Sequence, residues 1–269
     1  MILLLSCLAM DSAIAMIPTP AEVPEGNPPA GYDTPVHPAV AKRLGDNEAK
    51  LVQVLDVNLD AGLVAFKLID YVMPDEMMGF NPPDCGYAGM EAYPTSGVTL
   101  ALFKVNEATV ETWNVYDLAY EPASCTPHAE SEKRLAAAKK AFSDAGLDIT
   151  RKPEGQKPND QGVFTLGEAK VQTWTFSTYS DDPDYAKWTG EQNPDMADGH
   201  TKTGLTLGDK VLVTISKTYS QNGAGMAGAD FPLVWHADGK AVFLVREWSS
   251  HMRGGVMESW TFTPVVTLK

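Results

Sequence analysis

The chain is expected to be mainly β: antiparallel hairpins in a two-part sandwich or propeller-like arrangement with one packed α-helix. Three observations lead there. Short apolar runs recur along the sequence, joined by compact turn signals such as Gly167-Glu168, Gly208-Asp209 and Ala237-Asp238-Gly239. Only one long stretch, residues 126–146, carries helical spacing. A tryptophan-centred element also recurs, as Glu111-Thr112-Trp113-Asn114-Val115, Gln172-Thr173-Trp174-Thr175-Phe176 and Glu258-Ser259-Trp260-Thr261-Phe262. On a strand, the period of two puts each Trp and the following Val or Phe on one face and the Thr, Ser and Asn on the other.

The chain opens with MILLLSCLAMDSAIA, an apolar run ending in Ala13-Ile14-Ala15 that fits a signal-peptidase site, so residues 1–15 are expected to be an export signal. No Lys or Arg precedes Lys42, so the basic n-region is missing, which points to a start upstream of Met1. The run is too short and interrupted to be an integral membrane span. Cys7 offers a second reading, as the lipid-anchor cysteine of a lipoprotein, but apolar residues continue past it and cleavage after Ala15 is preferred. Residues 16–50 hold seven prolines between Pro18 and Pro38 and read as a semi-rigid linker.

From residue 51 the β signals begin. Residues 51–57 and 63–72 form one hairpin pattern and residues 97–105 and 109–119 a second, separated by a Met-, Pro- and Gly-rich segment, 73–96, with no regular pattern. The helix follows. Thr126 suits its N-cap, Pro127 its first position, Glu130 and Glu132 the positive end of its dipole, and Gly146 the left-handed residue that ends it. Leu135, Ala138, Phe142 and Ala145 make one narrow apolar stripe, the signature of a helix lying on a sheet. Residues 147–150 read as a short strand and 151–161, with Pro153, Gly155 and Pro158, as the boundary between two halves. The second half, 151–269, repeats the hairpin grammar at residues 162–166 with 169–178, 204–207 with 210–219, and 233–236 with 240–248, and closes with residues 256–268. The two halves read as separate units or as one continuous domain.

The order of a strand, a Tyr-bearing loop, a strand ending in V-x-T-W-x-V and an Ala-rich helix closing in Ala-Gly resembles a group of secreted bacterial proteins of unknown function. It is carried here by residues 63–66, Tyr87, 110–115 and 135–146, and by Asp238-Gly239-Lys240-Ala241-Val242 and Arg253-Gly254-Gly255. The resemblance covers about half of the chain, implies export and β architecture, and assigns no catalytic residue.

Composition narrows the partners. With 35 acidic and 21 basic residues the formal net charge is −14, which argues against nucleic acid or an anionic membrane as the main partner. After removal of the signal, Cys85 and Cys125 remain, and an even pair in an exported chain reads as one disulfide. Closing that loop would stabilise by about 4 kcal/mol in the chain-entropy model.

Site motifs are few. Gly223-Ala224-Gly225-Met226-Ala227-Gly228 matches the dinucleotide fingerprint in spacing, but the strand expected at residue 233 leaves no room for the helix that would hold a pyrophosphate; it reads as a loop. Asp181, Asp182 and Asp184, with Asp195 and Asp198 beyond, either form a solvated acidic loop or gather oxygens around Ca²⁺, the one cofactor the sequence suggests. The five histidines are scattered, and His251-Met252 with the loop methionines reads as packing rather than a copper site. No G-x-S-x-G is present, and Glu111 with Glu258 is the only carboxylate pair the repeats suggest. The expected function is therefore an exported, periplasmic or extracellular, non-catalytic binding or envelope-associated protein with a protein or glycan partner. Its ligand-binding residues would be Tyr87, Tyr93, Tyr185 and Trp188, aromatics on polar loops. A hydrolase of polysaccharide or peptide and a Ca²⁺-stabilised structural protein are the alternatives.

Overall fold

The computed structural model describes residues 50–71, 95–117, 129–179, 198–220, 226–250 and 256–269. These form three antiparallel sheets and one helix. The first sheet runs in chain order through β1 (Lys50–Asn58), β2 (Leu63–Tyr71), β3 (Thr95–Lys104) and β4 (Thr109–Asp117), and α1 (Ala129–Asp144) packs on β4 and β3. The second sheet holds β5 (Val163–Leu166), β6 (Ala169–Tyr179), β7 (Asp198–Leu207) and β8 (Lys210–Ser220), again in chain order. In the last sheet β10 (Lys240–Ser250) lies between β9 (Met226–Ala237) on one side and β11 (Val256–Phe262) and β12 (Val266–Thr267) on the other.

The layers do not follow chain order. Leu55, Ala65, Leu100 and Leu102 of the first sheet pack under Ala138, Phe142 and Leu147, with Trp113 meeting Phe142 edge-on at 5.7 Å. The opposite face of that sheet sends Val54, Val64, Phe66, Ala101 and Phe103 against Trp235, Val242, Leu244 and Phe262. On the far face of the last sheet, Ala241, Phe243 and Val245 meet Phe164, Val171, Leu205, Val213 and Ile215 of the second. The last sheet in the sequence is thus the middle of the stack. This explains the unbroken apolar run Ala241-Val242-Phe243-Leu244-Val245: a strand covered on both faces has no solvent side for polar residues to occupy.

Tight turns gather at one end. The β9–β10 turn takes positive φ at both Asp238 (51°) and Gly239 (73°), as a type I′ hairpin requires, and Gly167 and Gly208 occupy matching turns in the second sheet at φ 66° and 57°. Both Gly167 and Gly208 end a Thr-Leu-Gly tripeptide, residues 165–167 and 206–208, which thus marks equivalent corners. Lys240 reaches Asp60 of the β1–β2 turn at 2.7 Å, and the Asn106 side chain accepts the Val265 N–H at 3.0 Å, so the corners of the first and last sheets meet.

Several strands run longer than their sequence patterns. β7 begins at Asp198 because the buried Thr201 and Thr203 replace apolar residues in the alternation. Their hydroxyls are satisfied by Ser177 (3.1 Å) and by Thr175 and the Ala229 carbonyl (3.2 and 3.1 Å), so burial carries little penalty. β9 begins at Met226, inside the glycine motif, and passes through Pro232 where the register against β10 shifts between Leu244 and Arg246; a bulge tolerates the missing N–H. The last three residues of that motif are strand rather than loop. Gly228 and Gly204 serve the sheet: each lies directly opposite a Trp, and a Cβ would sit 2.8 Å from the Trp248 ring and 2.4 Å from the Trp174 ring. The three Trp elements lie on the fourth, second and third strands of their sheets, so they mark a type of strand and not a repeated sheet. Residues 147–150 are turn, not strand, since Asp148 accepts both the N–H and the hydroxyl of Thr150.

Candidate functional site

The clearest concavity among the described residues opens beside the turns of the first and last sheets. It is a groove of about 770 Å³, walled by the end of β1 and its turn (Val57, Leu59), the irregular segment 151–157 and the end of β9. A smaller hollow of about 230 Å³ adjoins it around Asn58, Asp60, Gly146 and Asp238.

Its walls are held by long-range contacts. Asp56, 2% exposed at a bulge in β1, accepts the Asp148 N–H at 2.7 Å and its neighbour Val57's at 2.9 Å, and Arg151 stands 3.5 Å away. Lys152 donates its backbone N–H to the Leu55 carbonyl at 2.9 Å. Gln156 exchanges both backbone hydrogen bonds with Val234 at 2.9 Å, and its side chain donates to the Thr165 carbonyl of the second sheet. The Trp235 indole donates to the Pro153 carbonyl at 3.0 Å, and its ring lies under Gly155, where a Cβ would come within 2.9 Å of it. Residues 151–161, the expected boundary between halves, are hydrogen-bonded to all three sheets.

What remains free in the groove is suited to recognition. Val234 spends its outward N–H and C=O on Gln156, and two residues along, by the alternation of an antiparallel edge, His236 turns the same pair of groups outward. His236, Glu154, Lys157 and Arg151 are exposed around the rim, over an apolar floor of Val57, Leu59 and the edge of Trp235. Two neighbouring carboxylates are held below their usual range: Asp60 by its hydrogen bond from Lys240 and that cation's charge, Asp148 by the Thr150 hydrogen bonds. The buried Asp56 is already committed to two N–H donors and Arg151, which makes it a structural group.

A second polar cluster lies on the last sheet. Arg246 grips Asp230 with both ends of its guanidinium, at 2.5 and 3.2 Å, and its carbon lies 5.9 Å from the Trp260 ring centre. Burial pushes the Asp230 carboxyl up, against the pull of Arg246.

The residues singled out by sequence do not fall here. Asp181, Asp182, Asp184, Tyr87, Tyr93, Tyr185, Trp188, Cys85, Cys125 and Cys7 lie outside the described residues. Glu111 is exposed on β4 of the first sheet, and Glu258 stands on β11 of the last. Among the described residues no group of three or more His, Cys, Asp or Glu is placed to hold a metal ion, and no helix is long and apolar enough to cross a membrane. The groove itself was missed because its polar wall, Arg151-Lys152-Pro153-Glu154-Gly155-Gln156-Lys157, has the composition of a linker; its density of charge was the only signal available. No family model matches this chain, and no curated protein or solved structure matches it.

Proposed function

We propose that this chain is an exported, non-catalytic binding protein of the bacterial envelope or its surroundings, and that the groove between β1 and β9 takes a glycan or a short extended peptide. The groove's composition supports this reading most. Its one buried acid is consumed by structural bonds, while its rim offers a cation, an acid, an imidazole and an open strand edge over an apolar floor. Such a set orients a polar, extended ligand by hydrogen bonds without supplying a buried acid and base. The export signal and the resemblance to secreted bacterial proteins support the location.

The test is a thermal-shift screen of the chain from Met16 against cell-wall fragments, oligosaccharides and peptides. A ligand at a hundred times its dissociation constant stabilises by about 2.7 kcal/mol. The shift is expected to vanish in the double variant His236→Ala, Lys157→Ala and to survive in Trp188→Ala. Loss only in Trp188→Ala or Tyr87→Ala would move the site to the aromatic segments, and release of product from the ligand would replace binding by hydrolysis.

A further inference from the structure

The alternation of the β9–β10 hairpin fixes which main-chain groups of β9 face the groove. Its type I′ turn at Asp238-Gly239 is closed by Ala237 and Lys240, a hydrogen-bonded pair, so Trp235 also turns its N–H and C=O to β10. Val234 and His236 turn theirs the other way, and Val234 exchanges both with Gln156 at 2.9 Å. That contact is a single bridge, although the same register would set Glu154 against His236. Instead Gly155 passes across the Trp235 ring, the Pro153 carbonyl accepts the indole N–H, and the Lys152 N–H goes to Leu55 of β1. The segment thus crosses from β9 to β1, and the groove opens between His236 on one side and Val57 and Leu59 on the other.

Among the described residues no strand pairs with this edge of β9 at His236. Gln156 fills the neighbouring place, roughly 7 Å along the strand. A strand added at His236 therefore grows away from Gln156 and must finish against it. Two directions are open to such a strand. Running antiparallel to β9, as residues 154–156 do, it brings its carboxyl end to Gln156 and to the exposed Lys157 that follows and lines the groove. Running parallel, it brings an ammonium to the same cation. Charge selects the first.

We infer that the groove takes the free C-terminal end of an extended peptide, added as a strand at His236 with its carboxylate on Lys157; this rests on the reading of the groove as a binding site and names its ligand class. The His236 N–H and C=O supply main-chain hydrogen bonds that any peptide sequence can complete. Lys157 reads the terminus through a charge-assisted bond, and Val57, Leu59 and the edge of Trp235 receive side chains. A neutral oligosaccharide offers neither a main-chain ladder nor a terminal carboxylate.

The probe is a library of short random peptides with free C-termini, selected against the immobilised chain from Met16. Enriched peptides are then made as acids, as C-terminal amides and with single N-methyl groups, and titrated calorimetrically. Amidation is expected to weaken binding about tenfold or more, and so is one N-methyl group near the C-terminus. Lys157→Gln should weaken the acid and leave the amide unchanged. His236→Pro removes an N–H that β10 does not use, so it should fold and weaken binding more than His236→Ala, which keeps that N–H. The N-methyl peptides test the same pairing without altering the protein. Failure to enrich any peptide, or peptides that bind equally as acid, amide and N-methyl forms, would overturn the inference. Oligosaccharides that bind and are lost in the double variant His236→Ala, Lys157→Ala would then keep the groove as a site for another ligand class. Ligands that the double variant holds as the parent does would overturn the groove as well.

Discussion

At the scale of single residues, one carboxylate decides the shape of the groove. Asp56 looks like an ordinary strand acid in Leu51-Val52-Gln53-Val54-Leu55-Asp56-Val57, yet it is 2% exposed and binds the N–H of Asp148, ninety-two positions away. Removing it leaves that N–H without a partner and Arg151 without its anion. Asp56→Ala should therefore cost about 2–3 kcal/mol in urea unfolding, with Asp56→Asn retaining part of the bond. A loss below about 0.5 kcal/mol would mean that the Lys152–Leu55 backbone bond holds the turn alone. Nothing near Asp56 in the chain announces this role, because a buried acid is recognised by its donors and these come from another element. Gly204 and Gly228 are similar cases: each reads as a strand weakness until the tryptophan across the ladder is placed over it.

Among the elements, those with strong local signals were the legible ones. The helix ends where Gly146 takes φ 70°, and its stripe of Leu135, Ala138, Phe142 and Ala145 faces the first sheet. Phe142, 1% exposed, is the central contact of that stripe. Phe142→Ala should cost about 3–4 kcal/mol, lower the near-ultraviolet signal of Trp113, and expose the amides of α1 to hydrogen exchange ahead of the sheets. Exchange that stays as slow in α1 as in β10 would show the helix held by its other contacts. The Asp238-Gly239 hairpin was equally legible, since type I′ geometry is a property of two residues. The starts of β7 and β9 were not. Threonines in place of aliphatics, a proline at a bulge and glycines under tryptophans each contradict a local strand signal, and each is compensated only by a neighbouring strand.

For the whole molecule, charge and layer order set the response to pH. Lys67 has its folded-state value below the ordinary 10.5, so its charged form is disfavoured on folding. The penalty is full below the folded value and disappears as pH rises towards 10.5, so this group makes the protein more stable on the alkaline side. Asp60 and Asp148 act at the other limb: their lowered values contribute stability that is present above 3.8 and is lost as pH falls through the folded values, to a small extent because both are exposed. Asp230, raised by burial, opposes them, favouring the folded state as it protonates. Urea unfolding at about pH 8 and about pH 10 should show a gain for the parent chain that is smaller in Lys67→Met. An identical gain in both would remove Lys67 as its source.

The amino-acid sequence by itself determined that the chain is mainly β with one helix, and where the tight turns fall. Those properties are local: periodicity and turn chemistry act over two to five neighbours. Only the tertiary structure decided that the last sheet lies between the first and the second, and that residues 151–157 form one wall of a groove. These depend on contacts between residues far apart in the chain, such as Gln156 with Val234 and Asp56 with Asp148, and such pairings exist only once the layers have packed.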